Sequence, residues 1–189
     1  MAKSTATFLE ETRTAVQGCI ALILGRADAP AHFDFSQRGL VGSLIAVVVG
    51  LAIAGFGPFL AGAALPAGAA TQSIIVNAAL FVAQAGTAYI ALRQMGRQDG
   101  FLPYMVASNW ITLVSAVLLL LSLLLGPVGV IVLIGVVIVA VVTFINIGRL
   151  IVTLAPLQIG ILFISQAVGV FLALVIVAVI IGPSAAGAV

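Results

Sequence analysis

The sequence predicts an all-α polytopic membrane protein, with five transmembrane helices and an N-terminal interfacial helix. Its composition is the first observation behind this fold class. Seven Lys or Arg and five Asp or Glu serve 189 residues, and 63% of the chain is hydrophobic. In soluble globular proteins about a quarter of the residues are charged. So few charges cannot solvate a globular surface, which indicates that lipid surrounds most of the chain.

The second observation is a series of five long blocks without charged residues. Each block approaches or exceeds the roughly 20 apolar residues that cross a bilayer as a helix. The predicted spans are residues 39–60, 72–92, 103–125, 128–147 and 156–181. A four-span alternative that merges neighbouring blocks would place Arg149 in lipid, at a cost of roughly 2.5–3.5 kcal/mol. Five spans therefore describe the sequence better.

The positions of the arginines predict how the chain threads the membrane. Arg38 precedes the first block, Arg93 and Arg97 follow the second, and Arg149 follows the fourth. The segments after the first, third and fifth blocks carry no charge. Arg and Lys accumulate in cytoplasmic loops. The expected orientation has the N-terminus inside, in the cytoplasm, and the C-terminus outside.

Residues 1–38 form the predicted cytoplasmic segment, and 184–189 a short external tail. Apolar side chains between Ala6 and Leu24 recur on one side of a helix, and Gly25 is a suitable stop. This amphipathic helix lies either in the headgroup layer or on the cytoplasmic ends of the spans. Asp34 or Ser36 is expected to cap the following helix.

Small residues recur at every fourth position of the first span, where they predict a helix-packing interface: Gly42, Ala46, Gly50 and Ala54. In lipid, such a face lets two backbones approach closely, and van der Waals contact then drives association. The neighbour is either another helix of the same chain, or a second copy or partner membrane subunit.

A polar stripe follows one side of the third span: Ser108, Thr112, Ser115 and Ser122. The second span offers Asn77 and Gln84. These side chains either line a narrow neutral conduit or form interhelical hydrogen bonds worth on the order of 0.6 kcal/mol each. No ionisable side chain stands at the middle of a span, where coupled transporters usually keep one.

Residues for catalysis, cofactor binding or metal binding are not predicted. Cys19 and His32 are single residues of their types, so neither a cysteine-based metal site nor a Ser–His–Asp arrangement is expected. The carboxylates of Glu10 and Glu11 diverge because adjacent helical positions point about 100° apart. Nucleic acid is not an expected partner, since there is no dense basic patch.

Two stretches carry a resemblance to a known family. They are Gly25-Arg-Ala-Asp, continuing through His32-Phe-Asp-Phe-Ser36 to Gly39, and Arg97-Gln-Asp-Gly-Phe-Leu-Pro-Tyr104 with Asn109-Trp110. The chain resembles the five-span Yip (Ypt-interacting protein) family, and more closely small, uncharacterised alphaproteobacterial inner-membrane proteins of similar topology. The resemblance implies the same topology in a bacterial inner membrane, with a periplasmic C-terminus, and leaves the function open.

Together these observations favour a non-enzymatic membrane protein that acts as a scaffold or accessory subunit of a membrane complex. Its expected partners are membrane lipids and a second copy or another membrane subunit. Two alternatives stay open. One is a small channel or facilitator for a neutral solute, based on the polar stripe. The other is a lipid-handling or membrane-shaping protein, based on the amphipathic helix.

Overall fold

The structure is a computed structural model that describes residues 8–181, and its regular structure in this range is helical. Among these residues, five helices with their short flanking turns are long and apolar enough to cross a membrane. This confirms the predicted fold class. The helices are α1 (Phe8–Ile23), α2 (Gln37–Leu60), α3 (Ala69–Gln94), α4 (Phe101–Leu124), α5 (Gly129–Asn146) and α6 (Pro156–Ile181).

Some predicted features lie outside the described residues. They are the start of the amphipathic helix at Ala6 and the external tail 184–189. Within the described range, the spans begin and end within three residues of the predicted positions, apart from the extension of α5 by a π-helical turn, Ile147–Ile151. Helix ends are the part of a helix that hydropathy determines least well.

The ends of α1 and α2 follow from local backbone chemistry. Gly25 ends α1 with φ +65°, a left-handed conformation that glycine adopts without a steric penalty. The Ser36 hydroxyl caps α2 by accepting the N–H of Gly39 at 3.3 Å. The Asp34 carboxylate accepts the N–H of Ser36 at 3.0 Å. Both predicted capping residues therefore take part in one turn, but only Ser36 caps the helix.

Helices α2 and α4 pack along each other at the centre of the bundle. Helix α5 packs against the other side of α4, α3 packs against α2, and α6 packs against α3. The first and last helices of this row, α5 and α6, also touch: the rings of Phe144 and Phe163 meet edge to face, with centroids 5.5 Å apart. This order does not follow the sequence, because consecutive helices α3 and α4 meet over only a short length.

Helix α1 lies at the end of the bundle that also holds the connectors 95–100 and 147–155; we call this the α1 end. It buries Ala15, Cys19 and Leu22, while Leu9 and Ile20 stay exposed. α1 thus packs on the ends of the spans, which is one of the two positions that the sequence left open. Its position in the headgroup layer stays a prediction, and the exposed aliphatic side chains are compatible with it.

Hydrogen bonds hold the end of α5 and the connector that follows it against α1 and against Arg97. The Asn146 amide nitrogen donates to the Leu22 carbonyl of α1 at 2.7 Å. The Arg97 guanidinium donates to the carbonyls of Val152 and Thr153, the latter at 2.9 Å. Thr153 has φ +55°, which a β-branched residue rarely adopts. The hydrogen bonds from Arg97 help to hold this residue in place.

Candidate functional site: an interhelical cleft

Helices α2, α3, α4 and α5 surround a partly open cleft of about 670 Å³. The cleft follows from how α3 packs. Its buried residues, Ala88, Ala91 and Leu92, all lie near the α1 end. Towards the opposite end α3 and α4 stand apart, and the space between them is open. Sites that hold small molecules typically measure about 300–1,000 Å³, so the cleft is large enough for such a ligand.

The whole polar stripe predicted on the third span lines the cleft: Ser108, Thr112, Ser115 and Ser122. Two of these hydroxyls donate hydrogen bonds to backbone carbonyls of α4 itself. Thr112 donates to the Ser108 carbonyl at 2.9 Å, and Ser122 donates to the Leu119 carbonyl at 2.7 Å. Because each proton is used within the helix, the hydroxyl oxygen remains as an acceptor towards the cleft.

The facing walls repeat this chemistry. Asn77 on α3 donates its amide N–H to the Ser73 carbonyl at 2.8 Å, which leaves its amide oxygen as an acceptor. Thr143 on α5 lines the cleft and donates to the Val139 carbonyl at 2.7 Å. Gln84 adds a second amide on α3. The rest of the lining in the described chain is apolar or aromatic, with no Asp, Glu, Lys, Arg or His.

A densely packed layer lies at the α1 end of the bundle. Trp110, Leu92 and Leu22 are almost completely buried there. Asn109 and Ser43 form a buried hydrogen bond of 2.9 Å between α4 and α2. The lining of the cleft extends from Pro58 and Leu123 at the opposite end to Tyr104 and Ile147 next to this layer. The packed layer thus borders the cleft at the α1 end.

The small-residue face of α2 contacts other helices of the same chain. Ala46 is fully buried, and a Cβ at Gly50 would lie 3.7 Å from the Leu113 Cα of α4. The Ala54 carbonyl accepts a hydrogen bond from Ser73 of α3 at 3.4 Å. Gly42 faces the Glu11 carboxylate of α1. These contacts place α1, α3 and α4 against the face, and Gly50 and Ala54 also line the cleft.

Glu11 is a feature that the sequence interpretation missed. Its Oε1 atom is buried and accepts no hydrogen bond from the described residues. Burial, and then the nearby Asp34 carboxylate, raises the pKa of Glu11, while the Arg38 charge lowers it. The signal was available in the spacing, because Glu11 shares the buried side of α1 with Ala15 and Leu22, four and eleven positions away.

The four arginines used to predict topology all lie towards the α1 end. Arg38 stands in the first turn of α2, Arg93 in the last turn of α3, and Arg149 in the π turn after α5. All three are exposed. Arg97 is partly buried, because it binds the 147–155 connector. The structure thus collects the positive charge of the membrane domain at one end.

Cys19 and His32, each single in its residue type, lie outside the cleft lining. Burial raises the pKa of the Cys19 thiol to about 12, so the nucleophilic thiolate is suppressed. His32 lies on the surface next to Asp28, 3.8 Å away. Between residues 8 and 181, no group of three His, Cys, Asp or Glu side chains could hold a metal ion.

Comparison of the chain with protein-family models, with curated proteins and with solved structures finds no match.

Proposed function

We propose that this protein is a non-enzymatic membrane protein whose cleft binds a neutral, mostly apolar molecule and facilitates its movement within or across the bilayer. One observation carries the proposal: all four hydroxyls of the α4 stripe face a cleft of about 670 Å³. An isolated charge in an apolar site is costly without a partner. Since no charged side chain of the described residues lines the cleft, a neutral ligand fits it best.

The hydrogen-bond inventory narrows the chemistry of this ligand. The hydroxyls of Thr112, Ser122 and Thr143 donate to backbone carbonyls of their own helices, and Asn77 donates an amide N–H to the Ser73 carbonyl. The cleft therefore presents mainly acceptors. A ligand with hydroxyl or N–H donors on an apolar body would satisfy them, whereas an ether or ester of the same size would not.

A flux and binding experiment with matched variants tests this proposal. The full chain is reconstituted in liposomes, and the flux of a fluorescent long-chain alcohol between the two leaflets is followed by quenching from outside. Binding of a long-chain alcohol is compared with binding of its methyl ether. Thr112→Leu and Ser115→Leu fill the cleft and remove acceptors, so they should lower flux and alcohol binding. Ser165→Leu makes the same kind of change on α6, outside the cleft lining, and serves as the control.

Several outcomes would count against the cleft as the site. Flux and alcohol binding that match protein-free liposomes would remove the proposal altogether. Flux that both cleft variants leave unaltered would show that solute passes elsewhere. Equal binding of the alcohol and the ether would contradict the donor requirement. Binding of the alcohol without flux would reduce the function to binding alone.

Location and orientation form part of the same proposal. The arginines at the α1 end support a cytoplasmic α1 end in a bacterial inner membrane, and the Yip-like resemblance supports the same threading. Cysteine labelling tests it. Gln98→Cys places a thiol in the exposed connector, while the native Cys19 is buried. An impermeant maleimide added from the periplasm should leave Gln98→Cys unlabelled, and labelling would overturn the orientation.

A scaffold or accessory-subunit role is our second proposal. Three helical glycines support it: a Cβ at Gly86, Gly135 or Gly160 would meet nothing within 4 Å. A helix of a second copy could approach the backbone closely at such positions. Mass measurement in mild detergent tests this role. A strictly monomeric protein without a co-purifying subunit would count against it.

A further inference from the structure

The hydroxyls of the α4 stripe follow the long axis of the bundle rather than gathering at one point. From Ser108 to Ser122 they cover fourteen positions, or about 21 Å at the rise of an α-helix. The cleft lining as a whole reaches from Tyr104 to Leu123, which is nearly the full length of α4. The apolar part of a bilayer is about 30 Å thick. A row of polar groups therefore follows most of the distance between the two leaflets.

This row consists of uncharged hydrogen-bonding groups, and most of them are acceptors. Thr112 and Ser122 donate their protons to backbone carbonyls of α4, so their oxygens remain as acceptors towards the cleft. Gln84 on α3 adds amide N–H donors to the lining. The described lining holds no charged side chain that could accompany an ionised headgroup. Its chemistry therefore fits a headgroup that is uncharged and rich in hydroxyls.

One long side of the cleft is open. Helices α3 and α5 form two of its walls but do not pack along each other, and the described part of α6 does not line the cleft. Gln84 of α3 and Ala140 of α5 are exposed although both line the cleft. Near the α1 end, the ring contact between Phe144 and Phe163 borders this side. The open side faces away from the bundle axis, where lipid surrounds the spans.

The volume of the cleft limits what it can enclose. Pockets of about 300–1,000 Å³ suit ligands of drug size, and this cleft measures about 670 Å³. One sugar fits into such a volume, whereas a whole lipid with two long acyl chains does not. The chains of such a lipid have to stay outside the cleft, and its open side leads directly into the bilayer.

We propose, on the basis of the proposed function of the cleft, that its substrate is a neutral glycolipid with one sugar and two acyl chains. The sugar moves along the cleft from one leaflet to the other, while both chains stay in the surrounding lipid. Sugar hydroxyls donate to successive acceptors between Ser122 and Ser108, which replace the water that the headgroup leaves behind. In plain hydrocarbon these hydroxyls have no partners, so the unassisted transfer is slow.

Exchange of lipids between leaflets of liposomes tests this route. The full chain is reconstituted with glucosyl diacylglycerol, and an impermeant glucosidase added from outside removes only the sugars that face outwards. The remaining glycolipid should become accessible at least about tenfold faster than in protein-free liposomes, as expected when hydrogen bonds lower the barrier. Glucosyl monoacylglycerol should be accelerated to a similar degree, because only the headgroup of either lipid enters the cleft. Fluorescent phosphatidylglycerol, which carries a charged phosphate, should move at the protein-free rate.

The combination of results separates this route from the general function of the cleft. If the long-chain alcohol binds and moves but the glycolipid does not, the cleft function stands and the glycolipid route is overturned. If only the one-chain glycolipid moves, the chains do not pass along the open side, which also overturns the route. If neither the alcohol nor the glycolipid moves, both proposals fail. Equal acceleration of phosphatidylglycerol would indicate a disturbed bilayer and would contradict the proposed headgroup path.

Matched variants test the open side of the cleft. Ala140→Trp places a large ring in the opening and should slow glycolipid exchange at least about tenfold. Val137→Trp adds the same ring at an exposed position of α5 outside the lining, and it should leave the rate unchanged. Equal rates for the two variants would overturn the role of the open side.

A second pair of variants tests the row of acceptors. Thr112→Val removes one hydroxyl with little change of shape and should slow the exchange about tenfold, whereas Thr112→Ser keeps the oxygen and should retain the rate. Melting temperatures close to that of wild type would exclude unfolding as the cause. Exchange that Thr112→Val leaves unaltered would show that the headgroup does not use this row, and the proposed path would be wrong.

Discussion

Asn109 on α4 donates a hydrogen bond to the hydroxyl oxygen of Ser43 on α2, with the two atoms 2.9 Å apart. Both side chains are buried, at 1% and 0% exposure. The Ser43 hydroxyl in turn donates a hydrogen bond to the Leu40 carbonyl at 2.8 Å. The bond between Asn109 and Ser43 connects the two central helices and sets their register. Apolar side chains alone set register weakly in lipid, where they pack against acyl chains equally well.

We expect Asn109→Ala and Ser43→Ala each to destabilise the bundle by about 1–3 kcal/mol, because each leaves a buried polar partner unsatisfied. The double variant should lose less than the sum, with a coupling of about 0.6 kcal/mol. Unfolding in mixed detergent measures these free energies. Thr112→Ala is the control, with an expected change within about 0.5 kcal/mol. Strict additivity would contradict the direct bond.

Two glycines of α5 should respond oppositely to the same substitution. A Cβ at Gly129 would lie 1.7 Å from the Ser122 carbonyl oxygen, and a Cβ at Gly135 would meet nothing within 4 Å. Gly129→Ala should therefore destabilise the protein by about 1–3 kcal/mol or more. Gly135→Ala should be neutral or stabilise by up to about 1 kcal/mol, since alanine favours the helix. Equal melting temperatures for the two variants would refute the packing between α4 and α5.

Stability in lipid-free detergent should depend on the protonation of Glu11. Burial, followed by the Asp34 carboxylate, raises its pKa in the folded protein, so the folded state holds this proton more tightly than the unfolded state does. Glu11 therefore lowers stability as pH rises from its ordinary pKa through the raised value. We expect Glu11→Gln to melt higher than wild type at neutral pH. The difference should vanish in acid, where both side chains are neutral.

Melting curves of wild type and Glu11→Gln between about pH 4 and pH 8 measure this effect, since an ordinary glutamate titrates near the lower limit. Glu10→Gln controls for the general loss of one negative charge from α1. A constant offset between the Glu11→Gln and wild-type curves at every pH would show that Glu11 does not titrate in the way its burial requires.

Arg97 should control the mobility of the 147–155 connector. Its guanidinium donates to the Thr153 carbonyl and the Thr153 hydroxyl, both at 2.9 Å. Arg97→Ala should increase hydrogen exchange of residues 147–155 by about tenfold or more, because hydrogen bonds from charged groups are worth about 1.5–3 kcal/mol. Arg97→Lys should recover only part of the protection, since a lysine cannot reach several acceptors as a fork. Arg93→Ala, at an exposed position, should leave the exchange unchanged.

The sequence was most informative where a property depends on neighbouring residues alone. The five blocks correspond to α2 to α6, since each block has to be apolar over its own length to enter lipid. The Ser36 cap and the Gly25 stop could likewise be predicted, because they depend on two or three adjacent positions. The stripe on α4 could be recognised from helical spacing before its surroundings were known.

Long-range contacts were not predictable in the same way. The bond from Asn146 to the Leu22 carbonyl joins residues 124 positions apart, and no local pattern pairs them. Gln166 of α6 binds the Gln84 carbonyl of α3, although other polar residues of the spans were equally available. The small-residue face predicted a close approach on α2, but only the fold shows that α1, α3 and α4 all use it.

By itself, the sequence determined that the chain is dissolved in lipid, how many helices cross it, and which residues stand at their ends. Only the tertiary structure decided the order α5, α4, α2, α3, α6 around the bundle, and with it the cleft and the burial of the Glu11 Oε1 atom. The physical reason is that apolar helix surfaces interact with lipid about as favourably as with one another. Their arrangement therefore depends on shape and on a few polar contacts between distant residues.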